Sequence, residues 1–155
     1  MIYALDSNII SYMLKGNERV YSHYVSALKH GNPCVLPLIV YYEVLRGLMA
    51  NDAKKQMSIF ENFITAIDIV ELSLSDIVTA ASIYTYRKKH GTPIEDSDLL
   101  IAAQCVTKDY TLVTNNTKHF KGIDEFMRTH SSECVRLPLF KVRLTTHTKR
   151  YARKT

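Results

Sequence analysis

The chain has 155 residues, of which 46% are hydrophobic and 23% charged, and its formal net charge is +5. This length suits one compact core rather than two full domains. No apolar run approaches the roughly 20 residues that span a bilayer, and no signal segment opens the chain, so we expect a soluble, cytoplasmic protein. The three cysteines form no C-x-x-C pair, which argues against a disulfide framework or a cysteine zinc site.

The excess positive charge lies at the C-terminal end. Residues 1–127 contain 12 Lys and Arg against 14 Asp and Glu, a net charge of −2. Residues 128–155 contain eight Lys and Arg against one Glu, a net charge of +7, and their few apolar residues follow no sustained period. We therefore predict one folded domain over residues 1–127, followed by a basic extension over residues 128–155 that is flexible or non-native.

Short apolar segments alternate along the chain with longer segments of helical period, a pattern typical of an α/β domain around a parallel sheet. The predicted strands cover residues 2–5, 33–36, 67–72 and 111–114. The predicted helices cover residues 8–14, 18–30 and 57–67, a segment that starts at an N-cap on Ser75 and ends before Gly91, and a segment that begins near Ser97.

In a parallel sheet, ligand sites form at the carboxyl ends of the strands. Acids and amides are expected at that edge: Asp6, Ser7, Asn8, Glu43, Asp96, Asp98, Asn115 and Asn116. The acids also have ordinary interpretations, since Asp6 and Asp98 suit the first turn of a helix. Glu43 could pair with Arg46 three positions later. Several carboxylates at one edge would nevertheless repel one another unless a cation neutralised them.

Oxygen ligands without cysteine or paired histidine favour Mg²⁺ or Mn²⁺ over zinc. Such ions are commonly held by a few carboxylates together with phosphate oxygens, which suggests metal-assisted phosphoryl chemistry. The glycine-rich loops of nucleotide-binding proteins and the G-x-S-x-G elbow of hydrolases are absent. The six histidines show no metal-ligand spacing, and we interpret them as surface or helix-end residues.

Four segments occur in an order and spacing that match one known family. They are Leu-Asp-Ser-Asn-Ile-Ile at 5–10, Tyr-Glu-Val-Leu-Arg-Gly at 42–47, and the stretches 91–103 and 112–120. Together they resemble the PIN-domain ribonucleases, and among them the VapC-type toxins of bacterial toxin–antitoxin pairs. The resemblance implies a three-layer α/β/α fold with a central parallel sheet and helices on both faces. Family chains normally finish with a short strand, for which residues 135–137 are the candidate.

The resemblance also implies the site residues. The family's metal ligands match Asp6, Glu43 and Asp98, and a fourth catalytic position that often holds Asp is Asn116 here. An amide keeps the oxygen but lowers the charge, so a weaker second metal or a one-metal site is expected. The supporting positions are Ser7, Asn8, Asp96, Thr114 and Asn115, with Asp96 partly compensating for the missing charge. The candidate RNA contacts are Lys15, Arg46 and Lys118.

The function implied by the resemblance is a divalent-metal-dependent endoribonuclease that hydrolyses phosphodiester bonds of structured RNA, including transfer RNA. A homodimer and a cognate antitoxin that covers the site are implied as well. A second hypothesis, favoured by the amide at Asn116, is a catalytically weak PIN-like module that binds RNA or protein. A third is a phosphotransfer or phosphatase domain on a similar sheet.

Overall fold

A computed structural model describes residues 1–123, residue 126 and residues 139–141. Five strands form one parallel sheet in the spatial order β3-β2-β1-β4-β5. They are β1 (Tyr3–Leu5), β2 (Cys34–Pro37), β3 (Asp68–Val70), β4 (Thr111–Thr114) and β5 (Leu139–Lys141). The helices are α1 (Ser7–Leu14), α2 (Glu18–Lys29), α3 (Leu38–Ala50), α4 (Lys54–Ile64), α5 (Leu74–Lys89), α6 (Asp96–Thr107) and α7 (Thr117–Phe120). The predicted three-layer α/β/α class, with helices on both faces of the sheet, is confirmed.

The core lies where the helices pack on the central strands. Every residue of β2 and β4 is buried, as buried parallel strands require, and Phe60, Ile83 and Ile101 bring large side chains from three helices. Cys34 and Cys105 are buried free thiols. Among the described residues, none of the helices has both the length and the apolar character needed to cross a membrane.

The start of α5 differs from the sequence-based expectation. The N-cap is Ser73 and not Ser75: the Ser73 hydroxyl accepts a hydrogen bond from the Asp76 backbone N–H at 3.3 Å, and the Asp76 carboxylate accepts one from the Ser73 N–H at 2.8 Å. Such a capping box needs a side-chain acceptor three positions after the cap. Asp76 supplies it for Ser73, whereas Ser75 would be followed by Val78.

A buried ion pair joins the start of α5 to the end of α6. Asp76 is 0% exposed, Lys108 Nζ lies 2.5 Å from its Oδ2, and the Thr107 hydroxyl donates to its Oδ1. Burial by itself raises the pKa of Asp76, but the hydrogen bonds from Lys108, the Ser73 N–H and Thr107 outweigh burial and hold the pKa at about 2. The ionised carboxylate therefore holds the two helices together.

The fifth strand comes from the segment that the sequence assigns to the extension. Leu139–Lys141 pairs in parallel with β4, and its register places Lys141 beside Thr114. The strand candidate at residues 135–137 lies outside the described residues. The sheet therefore includes three residues beyond the predicted boundary at residue 127.

Candidate active site

A polar cleft of about 410 Å³ opens at the carboxyl edge of the sheet. Four parts of the chain contribute to it: the β1–α1 junction, α3, the start of α6 and the segment after β4. The lining residues are Asp6, Ser7, Asn8, Tyr12, Glu43, Glu95, Ser97, Asp98, Asn115, Asn116 and His119. The four positions predicted to be catalytic thus surround one cavity, where the ends of parallel strands converge.

Asp6 joins the first strand to the first helix without an intervening loop. Its backbone N–H extends the sheet by donating to the Val113 carbonyl at 3.0 Å, while its side chain caps α1 by accepting from the Ser7 N–H at 2.7 Å. Its other oxygen, Oδ2, accepts hydrogen bonds from the Thr114 hydroxyl and from Asn8 Nδ2, both at 2.5 Å. These contacts fix the orientation of the carboxylate.

The amides around Asp6 form a network between α1 and the segment after β4. Asn8 Oδ1 accepts from the Asn115 N–H at 3.0 Å, and Thr114 Oγ1 accepts from the Asn116 N–H at 2.9 Å. The Asn115 side chain donates to the Tyr12 hydroxyl at 3.1 Å. The predicted supporting residues therefore hold two of the cleft walls together.

The carboxylates of the cleft disfavour one another's charge. Asp6 is 3% exposed, and this burial raises the pKa of its carboxyl. Its hydrogen bonds lower the pKa, but the charges of Asp98 and Glu43 raise it further, and the net shift is upward. Burial also raises the pKa of Asp98; the hydrogen bond from His119 opposes this shift, and the charge of Glu43 adds to it. Such mutual repulsion between one buried and two half-buried acids is typical of functional sites.

These side chains do not form a closed metal cage. Within the described part of the chain, no three Asp, Glu, His or Cys side chains stand close enough together to hold an ion by themselves. The donor set nevertheless fits a hard divalent cation, because it consists of oxygens and because a cation would relieve the repulsion. Mg²⁺ is commonly held by one or two carboxylates together with water and substrate phosphate, so a three-residue cage is not required.

Asp96 and Lys118, two of the predicted site residues, lie away from the cleft. Both are exposed, and they line neither the cleft nor the groove beside it. The N-cap of α6 is Glu95, and Glu95 and Asp98, three positions apart, share the helix face that borders the cavity. The expectation that Asp96 compensates for the missing charge is therefore not supported by its position, and Glu95 is the nearer acid.

Sequence reasoning missed Tyr12, Glu95 and His119. His119 is exposed in the last turn of α7, as expected for a surface or helix-end histidine, but its Nδ1 also lies 2.7 Å from Asp98 Oδ2. This pair is separated by 21 positions, so no local spacing could reveal it. Ser97, near which the sequence placed the start of α6, lies in the first turn of that helix and also borders the cleft.

Glu43 faces the cleft and not Arg46. Among the described residues Glu43 has no ion-pair partner, so the ordinary interpretation as a pair with Arg46 is wrong. The Arg46 guanidinium instead lies over the Tyr42 ring, 5.2 Å from its centroid. Lys15 and Arg46 line a second groove beside the cleft.

Known proteins resemble this chain over most of its length. Residues 3–125 match the family model described as PIN domain. The chain is 32% identical over 124 residues to Ribonuclease VapC2 of Rickettsia felis, covering 79% of this chain and 92% of that protein. It is 20% identical over 121 residues to the tRNA(fMet)-specific endonuclease VapC of Shigella flexneri, covering 78% and 91% respectively.

A solved structure shares the fold. The crystal structure of VapBC2 from Rickettsia felis bound to a DNA fragment from their promoter matches with a TM-score of 0.78 at 26% identity, covering 92% of this chain and all of that one. The resemblance inferred from the four sequence segments is confirmed. Nucleases of this kind generally depend on a divalent metal. The chain belongs to the PIN-domain family and, within it, to the VapC ribonucleases.

Proposed function

We propose that this protein is an endoribonuclease, dependent on Mg²⁺ or Mn²⁺, that hydrolyses phosphodiester bonds of structured RNA as the toxin of a toxin–antitoxin pair. The observation that carries the proposal is the single cleft at the carboxyl edge of the sheet that brings together Asp6, Glu43 and Asp98 from three separate parts of the chain. The names of the relatives support RNA as the substrate class, and the tRNA(fMet)-specific relative supports transfer RNA.

The proposed roles follow from the contacts of each side chain. Asp6, Glu43 and Asp98 would hold the ion, and Asn116 would offer an uncharged fourth oxygen. When bound, the ion would stabilise charge on the phosphate and lower the pKa of the attacking water. Thr114 and Asn8 keep one oxygen of Asp6 in place through their hydrogen bonds. Ser7 contributes its N–H at the other oxygen of Asp6.

His119 is a positioning residue in this scheme. Its ring nitrogen holds Asp98 Oδ2 and so restricts the rotation of that carboxylate. Asn115 connects the loop after β4 to Tyr12 and keeps Asn116 at the cleft wall. These contacts would preserve the arrangement of oxygens while an RNA phosphate enters.

We also propose a homodimer, a cognate antitoxin and a cytoplasmic location. The antitoxin is supported by the VapBC2 structure, in which the matching chain shares its fold with 92% of the present chain. A cytoplasmic location agrees with RNA as the substrate.

The test compares Asp98→Asn with Asp96→Asn, two changes in the first turn of α6 that remove the same charge. The purified variants are incubated with unfractionated tRNA and Mg²⁺ or Mn²⁺, and initial cleavage rates are measured on denaturing gels. We expect Asp98→Asn to lower the rate by about two orders of magnitude or more, because its carboxylate borders the reacting phosphate. Asp96→Asn should cut like the wild type, since Asp96 lies outside the cleft.

Stability measurements separate a catalytic from a structural effect. Because burial and Glu43 raise the pKa of Asp98, its neutral variant should raise the thermal midpoint in EDTA. A lower midpoint would mean that Asp98 mainly supports the fold. Cleavage that persists in EDTA or in Asp98→Asn would contradict the proposal, and RNA binding without cleavage would favour the catalytically weak module.

A further inference from the structure

A second groove continues from the cleft along the helices. Its volume is about 710 Å³, and it shares Ser7, Asn8 and Glu43 with the cleft. From these residues it passes over α1 on one side and over α3 and the start of α4 on the other. Because the two cavities share these three lining residues, a polymer whose reacting phosphate lies in the cleft could extend into the groove.

Gly47 lies on the groove surface in the interior of α3. Glycine destabilises a helix relative to alanine, so its presence there needs a reason. The backbone conformation does not require it, because Gly47 is helical, and packing does not either, because an added Cβ would meet nothing within 4 Å. A molecule from outside the chain that approaches the α3 backbone closely would account for the missing side chain.

The groove also holds two cations next to an acidic cleft. Lys15 follows α1 as its C-cap residue, and Arg46 precedes Gly47 in α3. Neither has a salt-bridge partner within the part of the chain that the structure describes, and both are exposed. The Tyr42 ring beneath Arg46 supports the guanidinium by a cation–π contact and leaves its N–H donors available.

We propose that this groove receives one strand of the RNA substrate beside the phosphodiester that is cut. The sugar-phosphate backbone passes over Gly47, and its phosphates lie near Lys15 and Arg46. The inference rests on the proposed function, because it assumes that a phosphate occupies the cleft. Two positive side chains without carboxylate partners favour a polyanion over a protein segment as the occupant.

The first test fills the space above Gly47. Gly47→Leu is compared with Ala50→Leu, which adds a leucine at an exposed position of the same helix outside the groove. Initial cleavage rates are measured against the concentration of unfractionated tRNA. We expect Gly47→Leu to raise KM about tenfold without lowering the thermal midpoint, because leucine is the better helix former. Ala50→Leu should leave KM unchanged.

The second test removes the cations. Lys15→Gln and Arg46→Gln should each reduce the salt dependence of kcat/KM, the logarithmic slope becoming shallower by about one for each lost phosphate contact. Lys29→Gln is the matched control: it removes the same charge at the end of α2, which directly precedes β2 and so lies at the edge of the sheet opposite the cleft. The control should retain the wild-type slope.

The outcomes distinguish this inference from the proposed function. If the wild type cuts no RNA, the proposed function fails. If the wild type cuts RNA and Gly47→Leu behaves like Ala50→Leu, the inference fails while the function stands. If Gly47→Leu cuts normally but no longer binds a co-expressed antitoxin, the groove belongs to a protein segment, which also overturns the inference. Gly47→Ala replaces the leucine variant if the latter does not fold.

Discussion

Two buried aspartates have pKa values that are shifted in opposite directions, although burial raises both. Asp76 is 0% exposed and Asp6 is 3% exposed, yet the pKa of Asp76 is held at about 2 and that of Asp6 is raised. The difference lies in their neighbours, because Asp76 has the ammonium of Lys108 at 2.5 Å whereas Asp6 has neutral donors and faces other acids. Asp76 therefore stabilises the fold as an ion, and Asp6 carries its charge at a cost in stability.

Asp76→Asn tests the structural member of this pair. We expect it to lower the free energy of unfolding at pH 7 by about 2 kcal/mol. This is the free energy that corresponds to the difference between the ordinary pKa of an aspartate and the lowered pKa of Asp76. A depressed pKa stabilises the fold above pH ~4, and this contribution is lost as the pH falls towards 2. Urea unfolding of variant and wild type should therefore differ at pH 7 and converge near pH 2.

Asp52→Asn provides the control for that measurement. Asp52 lies 3.7 Å from Lys54 with both side chains more than four-fifths exposed, and such a surface pair contributes little. If Asp52→Asn and Asp76→Asn lower stability equally at pH 7, the buried ion pair does not have the effect described here.

Asn116→Asp tests the fourth oxygen of the cleft. A carboxylate there would add to the repulsion among Asp6, Glu43 and Asp98, so we expect a lower thermal midpoint in EDTA. The same charge should increase the rise in midpoint on adding Mn²⁺. Asn62→Asp, on the exposed surface of α4, should show neither change. An unchanged response to Mn²⁺ in Asn116→Asp would reject its proposed role as a ligand.

For single residues, the sequence indicates those that follow the strand ends and misses those that only the folded chain brings to the cleft. Asp6 comes directly after β1 and Asn116 two positions after β4, so their places can be predicted from the strand pattern. His119 contacts Asp98, which is 21 positions away in the sequence, and α7 is only one turn long. Neither the spacing of the residues nor a helical pattern could therefore predict this contact. The convergence of acids at the strand ends suggested a metal site, and the family resemblance assigned the individual ligands.

The elements follow the sequence pattern best where both sides of a strand are paired. Residues 111–114 form β4 as predicted, between β1 and β5. The strand predicted over residues 67–72 is shorter, Asp68–Val70, because β3 lies at the edge and pairs with β2 alone. The length of the apolar segment therefore overestimates the length of this edge strand, because the number of residues that pair with β2 sets where the strand ends.

The start of α5 gives a test at the scale of one element. Ser73→Ala should lower the free energy of unfolding by about 1 kcal/mol, because it removes the acceptor that satisfies the Asp76 N–H. Ser75→Ala removes the serine that the sequence suggested as the cap and should cost only a few tenths of that amount. Urea unfolding measures both. A larger loss for Ser75→Ala would contradict the observed capping box.

At the scale of the whole molecule, the boundary after Met127 remains a proposal. A chain that ends there lacks β5 and exposes the edge of β4, the strand that leads to Asn116. A chain that ends after Val142 keeps all five strands. We expect the shorter chain to melt several degrees lower and to associate more readily through the open edge.

The two truncations decide the extent of the domain. Thermal unfolding and light scattering of both chains, with the full chain as reference, measure the effect. Equal stability and equal cleavage by the two would support a domain that is complete at residue 127, with the rest dispensable. A loss confined to the shorter chain would extend the domain through the fifth strand.

The absence of a loop between β1 and α1 has a practical consequence. Because Asp6 caps α1 and borders the cleft with the same carboxylate, substitution at this position disturbs architecture and chemistry together. Within the part of the chain that the structure describes, the Asp98 side chain has one hydrogen-bond partner, His119, and it does not cap α6. An inactive variant for capturing intact RNA or an inhibitor protein should therefore be made by substitution at Asp98, which leaves the junction between β1 and α1 unchanged.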